Sequence, residues 1–197
     1  MDCYNLPVSI SIGDKQLNIR DKGDYRVILD CFSALEDIEL PQNIRIYTAL
    51  IIFYEDLDSI DDVFNILGDN LDEAITKMYE FFNCGKESVG MNTPYKLIDW
   101  TEDSQLICSA INNVAQMEVR QPNLYIHWWT FMGYYTSVGD SQLSTVVGIR
   151  YKIVNQKPLE KYEKEFRRRN PEFFNWNAKS VEQKQEDELL KSIWNKS

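Results

Sequence analysis

The sequence predicts a mainly α-helical protein, in which helices gather around one aromatic helix, with a short β-hairpin in front and an amphipathic helical extension behind. Three observations predict it. Residues 124–135 read Leu-Tyr-Ile-His-Trp-Trp-Thr-Phe-Met-Gly-Tyr-Tyr and hold two of the chain's five tryptophans and its only histidine. Apolar residues recur at three- and four-residue spacing through most of the chain, as helices that bury one face require. Alternation of apolar and polar residues, the mark of a half-buried strand, is clear only near the start.

On a wheel of 3.6 residues per turn, Leu124, Trp128, Phe131 and Tyr135 form one apolar stripe, and Tyr125, Trp129 and Met132 form a second beside it. His127, Thr130 and Tyr134 take the remaining face. Other helices surround a helix that is apolar on most sides. A central helix is therefore expected at about 124–138, with Leu124, His127, Trp128, Trp129 and Phe131 as structural core.

The remaining elements follow in order. Val8, Ile10 and Ile12 alternate with serines, Gly13-Asp14-Lys15 turns, and Leu17 and Ile19 resume the alternation, giving a hairpin at about 6–20. Two strands alone are marginal in water, so this hairpin lies on helices or pairs with another copy. Val8, Ile10 and Ile12 are thus candidate partner-binding residues, and homo-oligomerisation stays open. Asp24 caps a first helix with the stripe Ile28, Cys31, Leu35 and Ile38. Pro41 opens a second, apolar on two faces, Ile44-Tyr47-Ile51-Tyr54 and Ile46-Leu50-Phe53-Leu57, and so expected to be buried. Ser59 starts a short helix that stops at Gly68, and Asp69 or Asn70 starts another with Leu71, Ile75, Met78 and Phe82 inward. No period survives from Lys86 to Lys96, which reads as a long loop.

Asp99 or Thr101 is expected to cap the next helix, which buries Ile107, Ala110, Ile111 and Val114. Ser141 caps one that carries Leu143, Val146, Val147, Ile149 and Arg150. After Pro158, Leu159, Tyr162 and Phe166 make a narrow stripe, with Glu160–Lys164, Glu163–Arg167 and Glu165–Arg169 at ion-pair spacing. Segment 180–194 is amphipathic, and its Leu189, Leu190, Ile193 and Trp194 are further candidate partner-binding residues. The chain of 197 residues is read as one helical domain, 1–155, and a charged helical extension, 156–197.

Composition excludes several classes. Hydrophobic residues at 44% and aromatic residues at 13% supply a folded core. No run reaches the roughly 18 apolar residues of a membrane span, and Met1-Asp2-Cys3-Tyr4-Asn5 is no signal peptide, so a soluble protein of a cytoplasm is expected. Cys3, Cys31, Cys84 and Cys108 stand 28, 53 and 24 residues apart, which suits free thiols rather than zinc ligands or a redox pair. The net charge of −10 is uneven: residues 1–100 carry 19 acids against 8 bases, residues 101–197 carry 12 against 13. Such a front half repels nucleic acid and suits a basic partner.

No motif carries chemistry. His127 lacks a nucleophile signature, and Asp56 to Asp62 fails as a calcium loop because Ile60 and Asp61 stand where an oxygen ligand and a glycine are needed. Arg167-Arg168-Arg169 reads as the cationic end of a solvated helix. Glycine-rich phosphate loops are absent. The expectation is no enzyme, no metal and no cofactor.

Three features in order point further. Leu97-Ile98-Asp99-Trp100 with Glu102-Asp103 and the helix to Ile111, then Ile126-His127-Trp128-Trp129-Thr130-Phe131, then Leu143 through Val147-Gly148-Ile149-Arg150, together resemble the bacteriophage gp-fifteen family of tail-assembly proteins. The resemblance spans about residues 6–170, and it departs at Met117–Asn123 and after Asn177. It implies a phage or prophage chaperone that binds the tape-measure protein, and by extension the major tail-tube protein, in the bacterial cytoplasm and is absent from the finished virion. The family offers no catalytic residues to transfer. Two alternatives stand beside it: a structural tail or connector subunit retained in the particle, and a regulator that binds nucleic acid through Arg167 to Arg169. The chaperone reading requires no nucleic acid and no membrane.

Overall fold

The alternating pattern near the start forms the expected hairpin. In the computed structural model, which describes residues 4–86 and 95–176, β1 (Ser9–Ile12) pairs antiparallel with β2 (Lys15–Asn18), Ser9 facing Asn18 and Ile12 facing Lys15. The rest of the described chain is mainly helical: α1 (Tyr25–Glu36), α2 (Gln42–Phe53), α3 (Ile60–Asp62), α4 (Leu71–Phe82), α5 (Ser104–Ala115), α6 (Trp128–Thr136), α7 (Gln142–Val154) and α8 (Lys161–Arg169). A π-helical turn, Val63–Leu67, continues α3, and a 3-10 turn, Pro171–Phe174, follows α8.

Contacts gather the chain into two units, Met1–Met91 with Asn123–Gly133, and Asn92–Pro122 with Tyr134–Ser197. Within the second unit, side chains reach across residue 155. Lys152 of α7 donates to both carboxylate oxygens of Glu163 in α8, at 2.7 and 2.8 Å, so the start of the charged segment is tied to the helix before it.

In the first unit, Ile10, Ile12 and Leu17 of the hairpin are buried. Asp24 caps α1 by accepting the Arg26 N–H at 3.0 Å. Ile28 and Cys31 are buried on that helix and Leu35 is half-buried. Ile38 does not extend the stripe: the helix stops at Glu36, and Ile38 lies in the following loop, 45% exposed. Arg20 closes the end of α2: its guanidinium donates to the Ile51 and Ile52 carbonyls of the last turn and to those of Tyr54 and Leu57 just beyond, at 3.0–3.2 Å. Backbone groups at a helix C-terminus need such partners, and a cation there also suits the helix dipole. Ser59 caps α3 through the Asp62 N–H. Ala74, Met78, Phe81 and Phe82 form the buried face of α4, which closes with the Gly85 N–H on the Glu80 carbonyl at 2.8 Å.

The second unit rests on α5 and α7. Asp103, rather than Asp99 or Thr101, occupies the N-cap position of α5. Asp99 closes the preceding turn by accepting the N–H groups of Thr101 and Glu102. Leu106, Ile107, Ala110 and Ile111 are buried, and Gln116 ends the helix in the left-handed region at φ 55°. Ser141 and Ser144 form a reciprocal capping box at the start of α7. Of the three ion pairs expected along α8, only Glu165–Arg169 forms, at 2.7 Å. Glu163 is claimed by Lys152, and Glu160 closes a capping box with Glu163. Tyr162 points outward, 67% exposed, instead of joining a stripe.

Candidate functional site

The aromatic segment is built on an extended start that helical periodicity missed. The helix begins at Trp128, four residues later than expected, because Tyr125 to His127 run beside the start of α1. The Tyr25 N–H donates to the Ile126 carbonyl at 2.9 Å, and the Ile126 N–H donates to the Asp24 carboxylate at 3.1 Å. Arg26 pairs with that same carboxylate and donates to the Leu124 carbonyl at 2.9 Å. A short sequence stretch apolar on nearly every side carries no signal for this switch, since an extended segment and a buried helix look alike there.

His127 therefore does not sit on a polar helix face. It is 1% exposed, its Nε2 bonds the Pro7 carbonyl at 3.0 Å, and its Nδ1 accepts the Trp129 N–H at 3.1 Å. The second bond makes the imidazole the N-terminal cap of α6, and the two together select the neutral tautomer protonated at Nε2. Burial holds its pKa below the ordinary 6.5, against opposing pulls from the Pro7 carbonyl and the Asp24 charge. Gly23 makes this approach feasible: at φ +77° a side chain there would be strained, and its Cβ would stand 2.8 Å from the Phe81 ring and 3.1 Å from His127 Nε2.

Around this cap the rings are closed in. Trp128 is 1% exposed and donates its indole N–H to the Phe82 carbonyl at 2.9 Å, while half-buried Trp129 donates to Phe81 at 2.9 Å. These two indoles satisfy carbonyls at the end of α4. Phe131 is buried and stacks on Tyr25 with centroids 4.2 Å apart. Leu124 is only half-buried, because it precedes the helix. Both imidazole nitrogens and both indole N–H groups are engaged within the unit, so the arrangement can hold chain segments together and offers no free lone pair from the imidazole.

The hairpin residues separate. Val8 is 45% exposed, whereas Ile10 and Ile12 are 5% and 1% exposed and cannot line a docking surface. They lie on the inward side of the strand, which the alternating pattern alone cannot distinguish from a face left open for a partner. Leu189, Leu190, Ile193 and Trp194 lie outside the described residues. Among the described residues no cluster of three or more histidines, cysteines or acids could hold a metal ion, and no helix is long and apolar enough to cross a membrane. Cys31 and Cys108 are buried free thiols, both raised in pKa chiefly by desolvation.

An unexpected apolar surface lies on α2. Its buried face carries Arg45, Ala49, Leu50 and Phe53. Of the opposite stripe expected in the core, Tyr54 is buried, whereas Ile44, Tyr47 and Ile51 stay half-buried. Tyr47 meets Phe64 edge-on, centroids 5.2 Å apart, and Phe64 is itself 51% exposed. Four residues earlier, Ile60 is 40% exposed. The π-helical turn explains the outward pair: Val63 and Leu67 take the inward positions and leave Ile60 and Phe64 outside. The sequence signal was present, since a helix apolar all round either lies in the core or keeps a face for something else.

The second unit holds a polar centre that sequence reasoning did not find. Arg150, 2% exposed, grips Asp103 with two guanidinium nitrogens and also donates to the carbonyls of Leu97 and Phe173, each at 2.9 Å. Trp176 lies over the guanidinium at 4.8 Å and donates its indole N–H to Lys96 at 2.8 Å. Three stretches far apart in sequence are thus pinned at one cation.

The family model described as "Bacteriophage Gp15 protein" matches residues 4–174. No curated protein and no solved structure matches the chain.

Proposed function

The chain belongs to the bacteriophage Gp15 protein family, and from that membership we propose that it is a tail-assembly chaperone. In this reading it binds the tape-measure protein in the bacterial cytoplasm and keeps its long helices soluble until tail-tube subunits polymerise around them. The work is adhesion, with no catalytic step, no cofactor and no nucleic acid. The observation that carries the reading is the family match over residues 4–174.

The physical character of the chain supports it. A protein that holds aggregation-prone helices needs an apolar surface for contact and high charge for solubility. The outward stripe of α2 with Phe64 supplies the first, and the net charge of −10 supplies the second. Mass spectrometry of purified virions tests the reading: a chaperone is missing from the finished tail, whereas a connector subunit would be found there in fixed copy number. For the regulator, retention on DNA or RNA at about 50 mM salt would be required, with a steep loss as salt rises.

A further inference from the structure

The segment that carries the outward face of α2 concentrates negative charge. Residues 36–73, which contain α2, α3 and the π-helical turn, hold eleven acids and one base, a balance of −10 equal to that of the whole chain. The one base does not offset this at the surface: Arg45 is 4% exposed and donates inward to the Leu35 carbonyl. Two cations reach in from outside the segment, Lys15 to the Ile66 carbonyl and Arg20 to the Ile51 and Ile52 carbonyls of α2 and to Asp58. Counting both, the balance is still −8. On the segment, Asp37, Glu39, Asp58 and Asp61 are all exposed.

An apolar face inside such a field selects its occupant by charge. A second copy of the chain would bring the same field and be repelled, and an acidic partner likewise. A helix with an apolar stripe flanked by lysine and arginine meets both demands: its stripe covers Tyr47, Phe64 and Ile60, and its cations face the acidic surround. From this complementarity we infer that the outward face of α2, with Ile60 and Phe64, is a docking site for a cationic amphipathic helix. Naming a tape-measure helix as the natural occupant rests on the function proposed above; the chemistry of the face does not.

The test uses the full chain and two synthetic helical peptides with the same leucine stripe, one flanked by lysines and the other by glutamates, titrated by calorimetry. The lysine peptide binds and the glutamate peptide does not. Phe64→Ser weakens binding about tenfold, the effect of losing one well-placed aromatic contact. Asp61→Lys weakens it as well, while Tyr162→Ser, at an exposed aromatic residue of the second unit, leaves it unchanged. Thermal melting establishes that the variants fold. Equal binding of both peptides, or full binding by Phe64→Ser, overturns the inference, as does a wild-type dimer in light scattering that Phe64→Ser dissociates. A pull-down of the tape-measure protein separates the two claims. If the wild type retains it and Phe64→Ser retains it equally, the docking site falls and the chaperone function stands. If the lysine peptide binds through Phe64 but the wild type never retains the tape-measure protein, the function falls and the docking site stands.

Discussion

Arg150 and Asp103 form a two-pronged ion pair in which the residues are 2% and 4% exposed. Forty-seven residues separate them in the chain, and the same guanidinium holds the carbonyls of Leu97 and Phe173. A buried pair of this kind contributes little beyond what apolar packing would, but removal of one partner strands the other in a medium that cannot solvate it.

Asp103→Asn is therefore expected to destabilise the chain by ~3–5 kcal/mol, through the uncompensated Arg150 charge. The urea midpoint measures it. In a double-mutant cycle with Arg150→Gln, the two losses should fall well short of additivity. Additive losses would mean that the pair is not coupled.

The single histidine gives stability a pH dependence of defined sign. Burial lowers the folded-state pKa of His127 beneath 6.5, so below that value the unfolded chain takes up its proton first. Stability from the neutral ring is complete above about pH 6.5, declines as pH falls towards the lowered folded value, and then levels off. The groups whose pKa is lowered by ion pairs and hydrogen bonds are carboxylates such as Asp99 and Glu163, which lose stability at more acid pH. The melting temperature should thus fall as the pH drops below 6.5 in the wild type. His127→Gln should flatten that window, at the expense of overall stability. An unchanged slope would place the imidazole in solvent.

Trp128 is the largest enclosed ring of the first unit, and its indole N–H closes the end of α4. Trp128→Ala should cost ~3–5 kcal/mol from the lost burial together with the cavity it leaves. An unaltered melting temperature with loss of partner binding would move this residue from core to contact surface.

The hairpin allows a side-by-side comparison. Ile12→Ala should cost ~2–5 kcal/mol because the residue is buried, and Val8→Ser should stay within about 0.5 kcal/mol because it is half exposed. Equal, small effects would show that the strand is not packed inward.

Much of the architecture was legible because helix period, caps and strand alternation are local signals. Asp24, Ser59 and Ser141 cap the helices they were expected to cap, and the hairpin turns at Gly13. What could not be read depended on distant partners. Nothing near Glu163 in sequence shows that Lys152 will take it from Arg167, and nothing near Arg150 announces Asp103. The start of α6 was missed because Asp24 and Tyr25, a hundred residues earlier, supply the hydrogen bonds that keep Ile126 extended. The apolar stripe of α2 was read as core because composition gives hydrophobicity but not its destination. For Leu189 to Trp194, which lie outside the described residues, the expectation of a partner contact rests on sequence alone.

The central claim is that this chain holds another phage protein in solution through adhesive surfaces. Co-expression with a tape-measure protein, followed by centrifugation and affinity capture of the chain, measures that directly. The account predicts that the tape-measure protein moves from pellet to supernatant and is captured with the wild type. A tape-measure protein that stays in the pellet, or is soluble to the same extent without the chain, would contradict it.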